Sequence, residues 1–375
     1  MRDVSLSIDC DPHLNLAMQQ NEVPVIKRVR VVSDADEALF DLLLRIECPG
    51  ASPYERRIAA LPPGGSVVLD DIHLDLDRAW LAALLERERH TLEASIRHGE
   101  TELHTCRCDL DVLAFNEWGG ARTLPEIAGA FSLPNHPAIG GVIERARAVC
   151  RASAWSDAFT GYRQHDARRQ VHAIWEAIRG LDIGYVLPPA SFEQHGQKIR
   201  LPEQIVEHRQ ATCLDLTFLF CGALEQVGLA PLLLLRKEHA WVGVWLQDET
   251  FPSAMIDDPA ALRKRIDLSE MVALETTLAT SGGTFDEACE RGRRHLDESD
   301  FEFAVDIRAS RRVGIRPLPV RAATSYSLFD DEAASATDTL VEPRVTIAPP
   351  LPLEADPEEA TPAGRLDGWK RRLLD

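Results

Sequence analysis

Cys213 and His239 are the residues whose type and surroundings best suit covalent chemistry. Thr212-x-x-Asp215 has the pattern of a capping box, so we expect a helix with Thr212 as N-cap and Cys213 as its first residue. The unpaired backbone N–H groups and the positive dipole end of a helix favour a thiolate at that position. The same N–H groups can stabilise an oxyanion.

His239 stands where a general base for this thiol is needed. The apolar run Pro231–Arg236 and the segment His239–Leu246 predict two neighbouring strands, with His239 at the start of the second. A histidine at the edge of a central strand can reach the N-terminus of a helix packed on the sheet. There it can take the thiol proton and later return it to a leaving group.

A base of this kind needs a third group that orients its ring. The candidates are Glu275, in the predicted strand Val272–Thr277, and Asp257 or Asp258, in a loop before a short helix. We favour Glu275, because an acid on the strand beside His239 is geometrically the easier partner, and we keep Asp257 and Asp258 as alternatives.

The elements that must position these residues divide into four regions. Short alternating strands with turn signals predict an antiparallel β-sandwich over residues 1–118, interrupted by one helix at Leu76–Glu86. Residues 119–321 predict an α+β domain with helices at Ala138–Cys150 and Asp166–Leu181. Residues 322–364 are rich in Pro and acidic residues, as in an extended linker, and 365–375 predict the start of a further helix.

Charge, apolar runs and cysteine spacing disfavour a nucleic-acid-binding protein, a membrane-spanning protein and a structural metal site. The net charge of −19 disfavours direct nucleic-acid binding, because like charge repels phosphate. No apolar run is long enough to cross a bilayer, and we expect a cytoplasmic protein with no cofactor. The eight cysteines include no CxxC pair, and His104, Cys106 and Cys108 alternate along a strand in a spacing that suits a tetrahedral metal site poorly.

Together these motifs resemble the core of the transglutaminase-like (papain-like thiol) superfamily. The matching segments are Thr-Cys-Leu-Asp-Leu around Cys213, His-Ala-Trp-Val-Gly-Val from His239, and the acid Glu275 followed by Thr-Thr. The resemblance implies a Cys–His–acid triad on a helix packed against an antiparallel sheet. Two residues depart from the family pattern: Ala211 stands where Gly is usual, and Glu275 stands where Asp is usual.

A narrower resemblance covers the segment before Cys213. Pro189–Glu193 and Gly196–Pro202 are similar to the corresponding segment of large bacterial proteins that join such a module to a superfamily 1 helicase-like and nuclease-like body. The resemblance implies that the chain is the N-terminal part of a longer protein, whose C-terminal helicase/nuclease-like portion is its partner. It also implies that Gln197, or failing it Gln204, donates a hydrogen bond to the oxyanion.

These expectations lead to two hypotheses of different classes. The first is an enzyme: a protease-like amide hydrolase or acyl-transfer enzyme acting on a protein or peptide through a thioester on Cys213. The second is a catalytically inactive binding module that regulates a C-terminal motor, in a system that defends against foreign DNA.

Overall fold

The computed structural model describes residues 4–121, 124–163 and 166–319 of the chain. The predicted linker at 322–364 and the predicted helical segment at 365–375 lie outside the described residues. Within these residues the fold is mixed α+β with several antiparallel sheets, as the sequence predicts. The division of the chain at residue 118 stays a prediction.

Nine strands precede residue 121 in the described part of the chain. They are β1 Val4–Cys10, β2 His13–Leu14, β3 Ile26–Ser33, β4 Leu39–Glu47, β5 Tyr54–Leu61, β6 Ser66–Leu69, β7 Glu88–His98, β8 Thr101–Val112 and β9 Glu117–Trp118. They form a three-stranded antiparallel sheet in the order β1-β3-β6 and a five-stranded sheet in the order β2-β8-β7-β4-β5. In the larger sheet only the short β2 runs parallel to its neighbour, while β9 pairs with a strand later in the chain.

Strand β5 carries a weak sequence signal. Its sequence, Tyr-Glu-Arg-Arg-Ile-Ala-Ala-Leu, places only Ile58 and Leu61 in the core, which is too few apolar positions for a clear alternation.

Cys10 on β1 and Cys108 on β8 are joined in a disulfide. The disulfide leaves Cys108 unable to ligate a metal through a thiolate.

Ten α-helices occur in the described residues. They are α1 Leu16–Gln20, α2 Arg78–Ala83, α3 Pro137–Ala152, α4 Ala167–Arg179, α5 Phe192–His195, α6 Pro202–His208, α7 Cys213–Gln226, α8 Pro259–Asp267, α9 Phe285–Arg294 and α10 Ile307–Arg312. Three 3₁₀ helices span Pro125–Phe131, Thr276–Thr280 and His295–Asp297. The predicted helices at 76–86, 138–150 and 166–181 correspond to α2, α3 and α4.

Eight strands lie between residue 121 and residue 319 among the described residues. They are β10 Gly184–Tyr185, β11 Gln197–Lys198, β12 Gln210–Ala211, β13 Pro231–Arg236, β14 His239–Trp245, β15 Met255–Ile256, β16 Met271–Leu274 and β17 Phe301–Asp306. The five strands from β13 to β17 form one antiparallel sheet in the order β15-β17-β13-β14-β16. Two short ladders, β10 with β12 and β11 with β9, flank the start of α7.

The five-stranded sheet β13–β17 is buried on both faces, which explains why β13 and β14 are apolar nearly throughout. On one face, Leu233 and Val242 belong to the large core that includes helix α7. On the other face, Leu232 and Trp241 belong to a second apolar cluster. This cluster also contains residues of α8 and Leu296, which follows α9. Helix α7 is therefore held against the centre of the sheet, with its N-terminus near the start of β14.

In the described part of the chain, no helix has the length and apolar character needed to cross a membrane.

Candidate active site

Cys213 occupies the predicted position at the N-terminus of α7. The Thr212 hydroxyl accepts from the Asp215 backbone N–H at 3.2 Å, and Asp215 Oδ2 accepts from the Thr212 backbone N–H at 2.9 Å. The capping box is therefore confirmed, and Cys213 is the first helical residue. At the other end, Gly228 follows the helix with a positive φ of 81°, a backbone conformation that glycine adopts readily.

Asp215 anchors this helix start to the preceding segment. It is fully buried, and its two carboxylate oxygens also accept from the backbone N–H of Arg200 at 2.8 Å and from Arg200 Nη1 at 3.0 Å. Burial raises the pKa of Asp215, against the opposing effect of its hydrogen bonds with Thr212 and Arg200. The position of Cys213 is thus fixed by a buried polar network and not by the helix alone.

The His239 ring lies between the Cys213 thiol and a carboxylate. Its Nε2 donates to Glu275 Oε2 at 2.6 Å, and the Cys213 thiol lies close enough to the ring to raise its pKa. Since Nε2 is taken by the carboxylate, Nδ1 is the nitrogen left for the thiol. A carboxylate that holds one ring nitrogen fixes the tautomer in which the other nitrogen is free to accept a proton.

Among the three acids proposed as orienting group, the structure brings Glu275 to His239. Glu275 is buried, at 3% exposure, whereas Asp257 and Asp258 are exposed and Asp258 caps α8 through the Ala260 backbone N–H. The predicted strand 272–277 is wrong at its end, because β16 stops at Leu274. Glu275 instead caps the 3₁₀ helix that follows the strand.

Both oxygens of Glu275 are engaged. Oε1 accepts from the backbone N–H and hydroxyl of Thr277 at 3.0 and 2.6 Å, and Oε2 accepts from two histidines. The capping bonds explain why the strand ends here: they turn the chain and point the carboxylate along the edge of the sheet towards His239.

His295 is the second histidine on Glu275, and sequence reasoning missed it. Its Nε2 lies 2.6 Å from the same Oε2, its Nδ1 lies 3.3 Å from Glu298 Oε1, and the side chain is 3% exposed. It packs beside Trp241, whose ring also stacks on His239. No local pattern marks His295, because the 3₁₀ helix that carries it reaches Glu275 only through the packing of α9 on β16.

These contacts set the charges of the site. Burial lowers the pKa of His239, but the hydrogen bonds with Cys213 and Glu275 outweigh it and raise the pKa from 6.5 to about 9. Burial raises the pKa of Glu275, and the hydrogen bonds from His239 and His295 overcome this and hold it well below its ordinary value. The geometry therefore favours an imidazolium held against an ionised carboxylate.

Tyr185 is a further neighbour of the thiol that the sequence did not single out. Burial, followed by the charge of the nearby Cys213, raises the pKa of its hydroxyl. The residue sits on β10, paired with Ala211 of β12, and remains 39% exposed. Cys213 itself is fully buried, so Tyr185 is a neighbour of the thiol that does reach solvent.

Gln197 lies beside the residue that precedes Cys213. It is 4% exposed, and its Nε2 donates to Thr212 Oγ1 at 3.0 Å, which leaves the second hydrogen of that amide for another acceptor. Gln204, the alternative donor, uses its Oε1 to accept from the Leu201 backbone N–H and so caps α6. Gln197 is therefore the better placed of the two to serve as the oxyanion donor.

Three atoms in this region could hold a metal ion: the imidazole nitrogens of His239 and His295 and a carboxylate oxygen of Glu275, all within 4.8 Å of one another. Both Nε2 atoms, however, face Glu275 at hydrogen-bond distance, and a metal would have to displace both protons. We therefore interpret the group as a hydrogen-bonded cluster.

A cleft of about 670 Å³ opens beside the N-terminus of α7. Thr212 and Gln197 line it together with residues of the segment after β10, of β11 and of α6. The cleft thus places open volume next to the residue that precedes the thiol, while Cys213, His239 and Glu275 do not themselves line it.

Compared with known proteins, the chain matches no family model and no curated protein.

Proposed function

We propose that this chain is a cysteine-dependent amide hydrolase or acyl-transfer module with the triad Cys213, His239 and Glu275. The observation that carries the proposal is the His239 ring, which Glu275 Oε2 holds at 2.6 Å in the neighbourhood of the Cys213 thiol. A buried thiol at a helix N-terminus needs no such partner for stability alone, because buried cysteines are ordinarily inert.

The chemistry follows the positions of these groups. His239 takes the thiol proton on Nδ1, and the Cys213 sulfur attacks the carbonyl carbon of an amide. The resulting oxyanion would accept hydrogen bonds from backbone N–H groups in the first turn of α7 and from Gln197 Nε2. His239 then returns the proton to the departing amine, leaving a thioester on Cys213.

The second half of the reaction needs an acceptor that His239 activates. If water attacks the thioester, the product is a carboxylic acid; if an amine attacks, the product is a new amide. In both cases His239 takes a proton from the attacking group, and the Cys213 thiol is regenerated. The proposed fold is a transglutaminase-like core that follows a β-sandwich, with a C-terminal helicase/nuclease-like portion as its partner.

Selective alkylation tests the proposal without a known substrate. We expect iodoacetamide to modify Cys213 faster than the other free thiols, and His239→Ala to slow that modification at least about tenfold. Cys48 and Cys289 are internal controls, since burial raises the pKa of each to about 11. Peptide mapping by mass spectrometry gives the rate for each cysteine in one sample.

The alternative is a binding module without catalysis, favoured by the complete burial of Cys213. It predicts that Cys213 reacts no faster than Cys48, and that Tyr185→Ala, which removes a large side chain near the thiol, does not change this. Rapid labelling of Cys213 in Tyr185→Ala that still depends on His239 would instead support the enzyme.

A further inference from the structure

The cleft beside Thr212 differs in charge from the rest of the chain. The protein carries a net charge of −19, yet the described residues that line the cleft include no carboxylate. Their basic members are Lys198, Arg200 and His208. In an acidic protein, a cleft without acids in its lining repels a negatively charged ligand less than the rest of the surface does.

We propose that this cleft binds the acyl donor as an extended peptide that carries an acidic side chain next to an apolar one. The inference rests on the proposed function and names its substrate class. Three observations support it: the basic residues of the lining, the unpaired side-chain oxygen of Gln197, and an exposed apolar wall.

Lys198 is the cation that is available to the peptide. The Arg200 guanidinium is already paired with the buried carboxylate of Asp215 at 3.0 Å. Lys198 is paired with Glu86, whose side chain is 80% exposed. Such an exposed pair contributes little to stability, so the carboxylate of a ligand can replace that of Glu86 at small cost.

Gln197 offers a hydrogen-bond acceptor to the peptide backbone. Its Oε1 is buried and has no hydrogen-bond partner among the described residues, although the side chain is 4% exposed and lines the cleft. A buried amide oxygen left without a donor is costly, and a peptide N–H supplies the donor. This use of Oε1 leaves Nε2 for the oxyanion.

The apolar wall is formed by the segment after β10, in which Val186, Leu187, Pro188 and Pro189 all line the cleft. Leu187 is 81% exposed, and the two prolines restrict the backbone next to it. A preformed apolar wall beside the unpaired Gln197 Oε1 suits a peptide in an extended conformation, with an apolar side chain against Leu187.

Fluorescence anisotropy with the full chain carrying Cys213→Ala tests the inference, because this variant cannot turn the peptide over. The probes are two fluorescein-labelled, end-blocked octapeptides that differ at one position, Glu against Gln, next to a Leu. We expect the Glu peptide to bind about fivefold more tightly at low salt, since an exposed ion pair contributes about 1 kcal/mol at most. Equal affinity for the two peptides would overturn the proposal.

Two surface variants give opposite expectations and so separate charge recognition from loss of fold. Lys198→Gln should abolish the preference for the Glu peptide, whereas Glu86→Gln, which frees Lys198, should increase it. A Glu86→Gln variant that leaves the preference unchanged or lowers it would count against the cleft as the acidic-peptide site. Because binding is measured without the thiol, a failure here is distinct from a failure of Cys213 alkylation, which tests the catalytic proposal.

Discussion

Replacing Glu275 by Gln isolates the effect of the carboxylate on His239. The variant keeps the shape of the side chain and one carbonyl oxygen, but it removes the negative charge that two imidazole rings share at 2.6 Å each. A neutral amide stabilises an imidazolium far less than a carboxylate does. We therefore expect the pKa of His239 to fall.

The size of the fall can be bounded from the structure. A hydrogen bond to a charged group contributes about 1.5–3 kcal/mol, which corresponds to about 1–2 pH units for the His239 ring. Starting from a pKa of about 9 in the wild type, we therefore expect a pKa of about 7–8 for His239 in Glu275→Gln.

The pH dependence of Cys213 alkylation measures this change. In the wild type, the rate constant for iodoacetamide should show an inflection near pH 9, where the imidazolium beside the sulfur loses its proton. In Glu275→Gln the inflection should move down by about 1–2 pH units. An inflection that stays near pH 9 in the variant would refute the reasoning that Glu275 holds the proton on His239.

Glu270→Gln is the matched control. Glu270 precedes β16, as Glu275 follows it, and its carboxylate pairs with Arg265 at 2.8 Å without contacting His239. This variant removes the same charge from the other end of the strand. The alkylation profile of Glu270→Gln should therefore match that of the wild type.

Stability gives a second measure of the same pair, with a defined sign. Because the folded pKa of His239 is raised, its contribution is fully present below pH 6.5 and is lost as the pH rises through about 9. The wild type should lose about 3 kcal/mol of unfolding free energy at most across this window. Glu275→Gln should lose less over the same range, as measured by urea denaturation.

Two further predictions concern residues that support the triad. His295→Phe removes the second donor to Glu275 Oε2, so the carboxylate should bind the His239 proton more strongly and the alkylation inflection should move to higher pH, opposite to the effect of Glu275→Gln. His295→Gln keeps an N–H donor and should show the wild-type profile. A move to lower pH in His295→Phe would contradict this role. Asp215→Asn breaks the capping box and the pairing with Arg200, and we expect it to lower the free energy of unfolding by about 3 kcal/mol. Urea denaturation followed by tryptophan fluorescence measures that loss, and a change below about 0.5 kcal/mol would mean that the network is not needed to hold α7.

Helix α7 and strands β13 and β14 could be predicted because their signals are local. A capping box satisfies N–H groups within one turn of the chain, so Thr212 and Asp215 mark the helix start without reference to anything distant. A strand buried on both faces must be apolar nearly throughout, which made Pro231–Arg236 recognisable. The placement of Cys213 and His239 at the ends of neighbouring elements followed from these two rules.

The surroundings of the triad depended on contacts between distant segments, and the sequence could not supply them. Glu275 was favoured as a member of a strand, whereas it caps a 3₁₀ helix, because the Thr277 N–H and hydroxyl turn the chain one residue past Leu274. His295 and Tyr185 reach the site only once α9 packs on β16 and β10 pairs with β12.

The amino-acid sequence thus determined which residues stand at helix and strand ends, since caps and apolar runs act over a few residues. Only the tertiary structure decided which acid hydrogen-bonds to His239, which side chains lie near the thiol and where the cleft opens. Those outcomes depend on burial and on pairing between segments far apart in the chain, and no local pattern encodes them.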